Sequence, residues 1–389
     1  MKKFTAILLA MILAFSVILT ASAQTDSAEK LQFDADGNFR IMQISDIQDG
    51  TLLTPATKTY LKEVVTYADP DLVVLTGDNI SAGSATVGTK AIDLLLVKNA
   101  INNYMSVFEE LGVPVAITFG NHDAEQIVSK EEQMEIYMSY SNCIAVDEGD
   151  ALYGCGTYNV PIYSSTDSEK IAYNLWMIDS NMYDEVNGGY DYVHKDQIEW
   201  YVNKSNELKA QNGGVPVPSM MFQHIIVPEI YDALVVIPNV SDISVEANGK
   251  HYILDPTTTR AGALSEAPCP SNTNSGQFDA VVNQGDVVAM FFGHDHKNTF
   301  EIPHRGVDLV NTPTAGFGSY GDYERGVRII DIKEGTRDYE TFIISYVDFY
   351  ADNDYMLAQY DLYANESSVG EVIVAFFKTI FAGIAILFK

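Results

Sequence analysis

The chain is poor in positive charge: 23 Lys and Arg stand against 53 Asp and Glu, a formal net charge of -30. That balance excludes the basic surface on which affinity for DNA or RNA depends, so no nucleic-acid polymer is expected as a partner. A small anionic substrate stays admissible where bound cations reverse the local sign. Cysteine is also scarce, three in 389 residues, too few for a disulfide framework. Cys143 and Cys155 have the spacing of a short disulfide loop that would leave Cys269 free, and free thiols fit the sequence equally well. No repeat period or low-complexity block is present. With 47% hydrophobic and 20% charged residues, the chain has material for a sizeable core.

Long apolar runs are confined to the two ends. Lys2 and Lys3 precede an apolar stretch from Ala6 to Leu19, and Ala21-Ser22-Ala23 supplies a small-residue cleavage site, the pattern of a signal peptide over residues 1–23. The expected location is therefore outside the cytoplasm: extracellular, periplasmic or cell-surface. Residues 371–389 form a second hydrophobic segment, interrupted by Lys378 and Thr379. A membrane anchor and a helix docked on a membrane surface or on the core both fit it. Residues 349–370, acidic and rich in tyrosine, read as a tether. Between the ends, residues 24–348 read as one catalytic domain.

Within that domain short apolar runs alternate with longer helical patterns, the signature of an α/β fold. Strands are expected at Phe39–Ile44, Leu72–Thr76, Val113–Thr118, Ile171–Ile178, Ser219–Gln223 and Val287–Phe292. Helices are expected from Pro55 to about Tyr67, over Lys90–Leu111, from Ser129 (with Glu132 as a capping box) to about Tyr140, and over His194–Ala210. The region from Val307 to Val347 reads as β-hairpins, and Val235–Asp255 as a lid or a peripheral hairpin.

Five of these strands run directly into metal-capable side chains. They deliver Asp46 with Gln48, Asp78, Asn121-His122-Asp123, His224, and His294-Asp295-His296. Open α/β sheets place their sites at such carboxyl ends. A carboxylate shared between two cations, with imidazoles completing each shell, is the chemistry of two-metal hydrolysis, in which a bound water ionises near neutral pH and attacks phosphorus. His194, His251 and His304 lie away from these ends and read as ordinary histidines.

The ordered set "GDN", "GNHD", a lone His after a strand and "GHDH" resembles the calcineurin-like metallophosphoesterases, from about Phe39 to Gly326. "FQHIIVPE" and "NTPTAGFGSYGDYERGVR" are similar to segments of small secreted enzymes grouped with the purple acid phosphatases. The resemblance implies a four-layer α/β/β/α sandwich with a dimetal site at the strand ends. It implies Asp46, Asp78 and His296 around a first ion, and Asp78, Asn121, His224 and His294 around a second. His122 would stand by the leaving-group oxygen, oriented by Asp123. The ions would be two divalent metals drawn from Mn, Zn, Fe or Mg, and the substrate a small phosphorylated molecule.

The family pattern is broken twice. Ser81 occupies the place where coloured purple acid phosphatases carry a tyrosine ligand, so no tyrosinate-iron colour is expected. Gln48 occupies the place of a histidine; an amide oxygen is a harder donor than imidazole and suits Mn²⁺ or Mg²⁺. The reading is a working first-metal shell with Gln48 as an unusual ligand, and a metal-dependent phosphoric ester hydrolase, foremost a phosphomonoesterase. The alternatives are a phosphodiesterase acting on nucleotides or lipid headgroups, and a non-catalytic protein that binds phosphorylated ligands.

Overall fold

The computed structural model describes residues 30–363, apart from 52–53, 82 and 84–85. The expected signal peptide and the hydrophobic C-terminal segment lie outside the described residues. The first strands are β1 (Asn38–Ile44), β2 (Leu72–Thr76) and β3 (Val115–Thr118), mutually parallel and in that order. Helices Pro55–Ala68 and Lys90–Leu111 make the two crossovers. Right-handed connections put both helices on one face of the sheet.

Local signals set their ends. Thr54 precedes Pro55 at the start of the first helix; Asp69, at φ 48°, ends it by donating its N–H to Val65 O. Gly112, at φ 70°, closes the second helix with bonds to Phe108 O and Glu109 O, a left-handed cap that suits glycine. The Ser129–Glu132 capping box forms as expected, and its helix spans Lys130–Tyr137.

The second sheet is built from β4 (Tyr158–Ser164), β5 (Asp167–Met177) and β6 (Ser219–Phe222). A small antiparallel sheet follows, made of β7 (Leu234–Ile237), β8 (Val245–Ala247) and β9 (Lys250–Leu254), so the Val235–Asp255 segment is peripheral β-structure. Then β10 (Val287–Phe292), β11 (Glu301–His304) and β12 (Val307–Asn311) complete the second sheet in the order β11-β12-β10-β6-β5-β4. The strands β13 (Gly326–Lys333) and β14 (Tyr339–Ser345) return to the first sheet, whose order is β14-β13-β1-β2-β3. The expected hairpin region is thus divided: β12 belongs to the second sheet, paired antiparallel with β11 across the Arg305-Gly306 turn and parallel with β10, while β13 and β14 form a hairpin in the first sheet. Strand β12 is buried along its whole length.

Side-chain alternation in the second sheet separates two apolar layers. Leu175, Met220, Phe222, Ala289 and Phe291 point toward the first sheet and share its core. Trp176, Met221, Met290 and Phe292 point away and meet helices Lys195–Gln211 and Gln277–Gln284. The layers run helices, sheet, sheet, helices, as the resemblance implied.

Arg328 of β13 crosses between the sheets. Its guanidinium is 1% exposed and donates to Glu301 Oε1 (3.0 Å), Thr299 O (3.0 Å), Asn311 O (2.8 Å) and Thr312 Oγ1 (3.0 Å), all on the second-sheet side.

One expectation is corrected and one open alternative is decided. The tether, over its described part, carries a helix, Asp354–Tyr363, with Met356 and Tyr360 buried against the core. Its tyrosines find fixed partners: Tyr350 donates to Glu63 (2.6 Å) and Tyr360 to Asp322 O (2.6 Å). Composition suggested a solvated linker because such hydroxyls look polar in isolation; each is satisfied while its ring is buried. Cys143, Cys155 and Cys269 are all free thiols, so the Cys143–Cys155 loop is not closed. Cys143 packs beside the core behind β3, while the Cys155 thiol faces Asp147 at 3.8 Å.

Replacing Arg328 by Met leaves Glu301 without its buried counter-charge. Breaking a buried pair in this way costs about 3–5 kcal/mol, so urea denaturation should show a large drop in midpoint for Arg328→Met.

Candidate metal centre

All five ligand-bearing strand ends converge, three from the first sheet and two from the second. Backbone bonds lock the loops: Asp46 N–H donates to Gly77 O (3.1 Å), Gln48 N–H to Asp78 O (3.0 Å) and Gly293 N–H to His224 O (3.1 Å). Two glycines allow the approach. A Cβ on Gly120 would lie 2.2 Å from Asp78 Oδ1, and one on Gly293 would lie 1.8 Å from Ser45 Oγ. Asp46, Gln48, Asp78 and His294 all have φ between 44° and 69°, the left-handed region in which non-glycine residues are strained. Four such residues among the site's side chains mark where the fold stores strain.

Two groups result, each with its ligand atoms within 4.8 Å of one another: Asp46, Asp78 and His296, and Asp78, His224 and His294. Asp78 is common to both, as a bridging carboxylate must be. All five side chains are buried.

The donor set fits cations. His224 Nδ1 donates to Thr76 O (2.9 Å), so Nε2, 3.2 Å from Asp78 Oδ2, is the nitrogen presented to the site. His296 does likewise, with Nδ1 on Tyr320 O (3.0 Å) and Nε2 3.2 Å from Asp46 Oδ1. His294 Nδ1 faces His224 Nε2 at 3.3 Å, so two imidazole nitrogens point at one another. Asn121 Oδ1 and His294 Nε2 are buried with no hydrogen-bond partner. Orphaned acceptors beside buried carboxylates call for positive charge.

The electrostatics say the same. Burial pushes the Asp46 and Asp78 carboxyls up, but neighbouring imidazoles outweigh it and hold both below the usual carboxylate range. Burial works against a charged His224, yet Asp78 and Asp46 raise its pKa to about 10. Burial, reinforced by His224, drives His294 down to about 3. A proton on His224 therefore compensates the acid pair where cations would otherwise do so.

Gln48 lies among the first-site ligands. Its Nε2 is 3.0 Å from Asp78 Oδ2, 3.5 Å from Asp46 Oδ1 and 3.2 Å from His296 Nε2. The carboxamide NH₂ thus satisfies the lone pairs that a first ion would take. Rotating the amide by half a turn presents Oε1 instead, the donor atom a hard cation prefers.

His122 stands at the open side of the site. Its ring is 30% exposed, with Nε2 3.9 Å from Asp78 Oδ2, and its backbone N–H donates to Asp78 Oδ1 (2.8 Å). The expected orienting role of Asp123 is corrected. Asp123 is fully buried and accepts from the N–H groups of Asn79 (3.1 Å), Ile80 (3.1 Å) and Gly120 (2.9 Å), which fastens the GDN loop to the GNHD loop. Burial, and then the charge of Asp78, push its pKa up to about 7. The partner of the ring is Glu125, whose Oε2 lies 2.9 Å from His122 Nδ1. The only sequence signal for Glu125 was its spacing, one helical turn after His122. Arg325 and Arg328 are both fully buried, Arg325 donating to Ser319 O (3.1 Å) and Arg328 to Glu301 (3.0 Å).

Residues 39–298 match the family model described as calcineurin-like phosphoesterase, and the chain belongs to that family. It is 28% identical over 338 residues to "Probable inactive purple acid phosphatase 14" of Arabidopsis thaliana, spanning 78% of this chain and 77% of that protein. It is also 28% identical over 225 residues to "Phosphatase DCR2" of Saccharomyces cerevisiae, spanning 52% of this chain and 37% of that protein. Among solved structures it resembles a dimetal phosphatase from Danio rerio, with a TM-score of 0.47 at 13% identity, over 79% of this chain and 99% of that one.

Changing Gln48 to His should tighten the first site, most for Zn²⁺ or Fe, which prefer nitrogen more than Mn²⁺ does. Changing it to Ala should weaken that site and leave the second unchanged. Elemental analysis after dialysis against graded metal concentrations reads both; equal content in all three proteins would show that Gln48 is not a ligand.

Proposed function

We propose that the chain is an exported, metal-dependent phosphoric ester hydrolase acting foremost on phosphomonoesters. The observation that carries the reading is the pair of ligand groups sharing Asp78, with His122 at their open edge. Bound ions would supply Lewis acidity at the phosphoryl oxygens and offset charge in the transition state. The chain itself does the rest. Asp46, Asp78, Asn121, His224, His294 and His296, with Gln48, would hold the ions. His122 protonates or stabilises the departing oxygen from Nε2, while Glu125 holds Nδ1 and so fixes the ring's direction.

A second reading has its own support: the "Probable inactive" in the relative's name, together with Gln48, favours a non-catalytic protein that binds phosphorylated ligands. Against it, a binding site has no use for His122 held by a carboxylate at the leaving-group position. Hydrolysis of phosphodiesters, such as nucleotides or lipid headgroups, is the alternative within the enzyme class.

The test is turnover of phosphomonoesters and phosphodiesters by protein reconstituted with Mn²⁺, Zn²⁺, Fe or Mg²⁺. Activity with at least one metal is expected; none with any combination would overturn the enzyme reading. His122→Ala should then lower kcat by about 10²- to 10⁴-fold while metal content stays intact, and lost metal would show that His122 is a ligand.

Export and membrane attachment rest on the two apolar ends of the sequence. Among the described residues no helix is long and apolar enough to cross a membrane. Deleting residues 372–389 should move the protein from the membrane fraction to the soluble one; full-length protein already soluble without detergent would count against an anchor.

A further inference from the structure

The mouth of the site is aromatic. Tyr183, 41% exposed, donates its hydroxyl to Glu125 Oε1 at 2.5 Å, the same carboxylate that holds His122. The ring of Tyr183 stacks on Tyr190 (centroids 5.7 Å apart, planes at 24°), and Tyr190 in turn meets His294 edge to face at 4.3 Å. Toward the first site, Tyr320 is 42% exposed, stacks on His296 at 4.2 Å and donates its hydroxyl to Glu266 (2.9 Å). Each of these two exposed tyrosines has its polar end tied to a glutamate and is braced, directly or through Tyr190, against a metal-site histidine. Much of what remains open on these residues is ring surface, fixed in orientation before anything binds.

Resting on the phosphoesterase reading, we propose that Tyr183 is a specificity residue that receives a flat ring on the alcohol portion of the substrate, so that the preferred esters are those of aryl alcohols or nucleosides. His122 sits where the alcohol oxygen departs, and Tyr183 is reached from it through one carboxylate. The alcohol therefore leaves toward Tyr183. Charge excludes another class of alcohol. A second phosphate or carboxylate on that side would face Glu125, and both Arg325 and Arg328 are buried. A flat neutral ring meets no such repulsion and gains a stacking contact.

Binding tests this without requiring turnover. The Mn²⁺-loaded protein is titrated calorimetrically with phenylphosphonate, a non-hydrolysable phosphonate of adenosine, and methylphosphonate, which has no ring. An aromatic contact of this kind is worth about 2- to 12-fold in affinity. At least one ring-bearing ligand should exceed methylphosphonate by that factor. Tyr183→Leu should remove the advantage, and Tyr183→Phe should keep it. A gain for phenylphosphonate alone assigns aryl esters, and one for the adenosine compound assigns nucleotides. Equal affinities for all three in the unmodified protein, or an advantage that survives Tyr183→Leu at unchanged metal content, would overturn the proposal. Absence of hydrolysis overturns the enzyme reading instead, and leaves the affinity ratio to be judged by itself.

Discussion

Two buried carboxylates, Asp46 and Asp78, set the terms for the rest of the molecule. Both are essentially without solvent, and both belong to the ligand group completed by His296, whose atoms lie within 4.8 Å of one another. Like charges so placed repel unless something positive lies between them. Asp78 and Asp46 raise the pKa of His224 against the effect of its burial, and the Gln48 NH₂ faces Asp78 Oδ2. Cations held here would displace a proton from His224 and give Asn121 Oδ1 a partner, which would link metal affinity to folding stability.

The two sheets together hold that arrangement in place. Left-handed backbone at Asp46, Gln48, Asp78 and His294 costs on the order of 1–3 kcal/mol per residue. Isolated loops would relax. Here each strained residue follows a buried strand, and cross-sheet bonds prevent the strands from separating. Gln43 in β1 donates to Phe292 O in β10 (3.2 Å) and accepts from Thr312 Oγ1 (2.6 Å) just before the site. Arg328 pins the far side of the same joint. Asp123 adds a further restraint, because three backbone N–H groups from two ligand loops converge on its carboxylate.

The ligands were legible in the sequence because each lies within a few residues of the end of an apolar run. Position along the chain and position in the site are then nearly the same information. Glu125, Tyr183 and Tyr190 were not legible as a set. Glu125 follows β3 and the two tyrosines share the segment after β5, and only the tertiary fold brings the Tyr183 hydroxyl to Glu125. The buried destinations of Arg325 and Arg328 were hidden for the same reason, since a guanidinium on a strand looks alike whether its partner is substrate or Glu301. The acidic helix Asp354–Tyr363 was missed because its burial relies on tyrosine rings rather than on an aliphatic stripe.

Gln48 looks at first like damage to a histidine site, but the charge balance argues otherwise. Imidazole and carboxamide are both neutral donors, so exchanging one for the other leaves the net charge around Asp46 and Asp78 unaltered. What changes is the donor atom, and with it the preference among metals rather than the need for one. A lost carboxylate would have been different in kind, because the upward pull on the pKa of His224 would then have lacked its cause. The electrostatic demand for cations resides in the acid pair, and the acid pair is whole. Gln48 acts on top of that demand. Its amide lies beside Asp46, Asp78 and His296 and can turn either a donor or an acceptor to them.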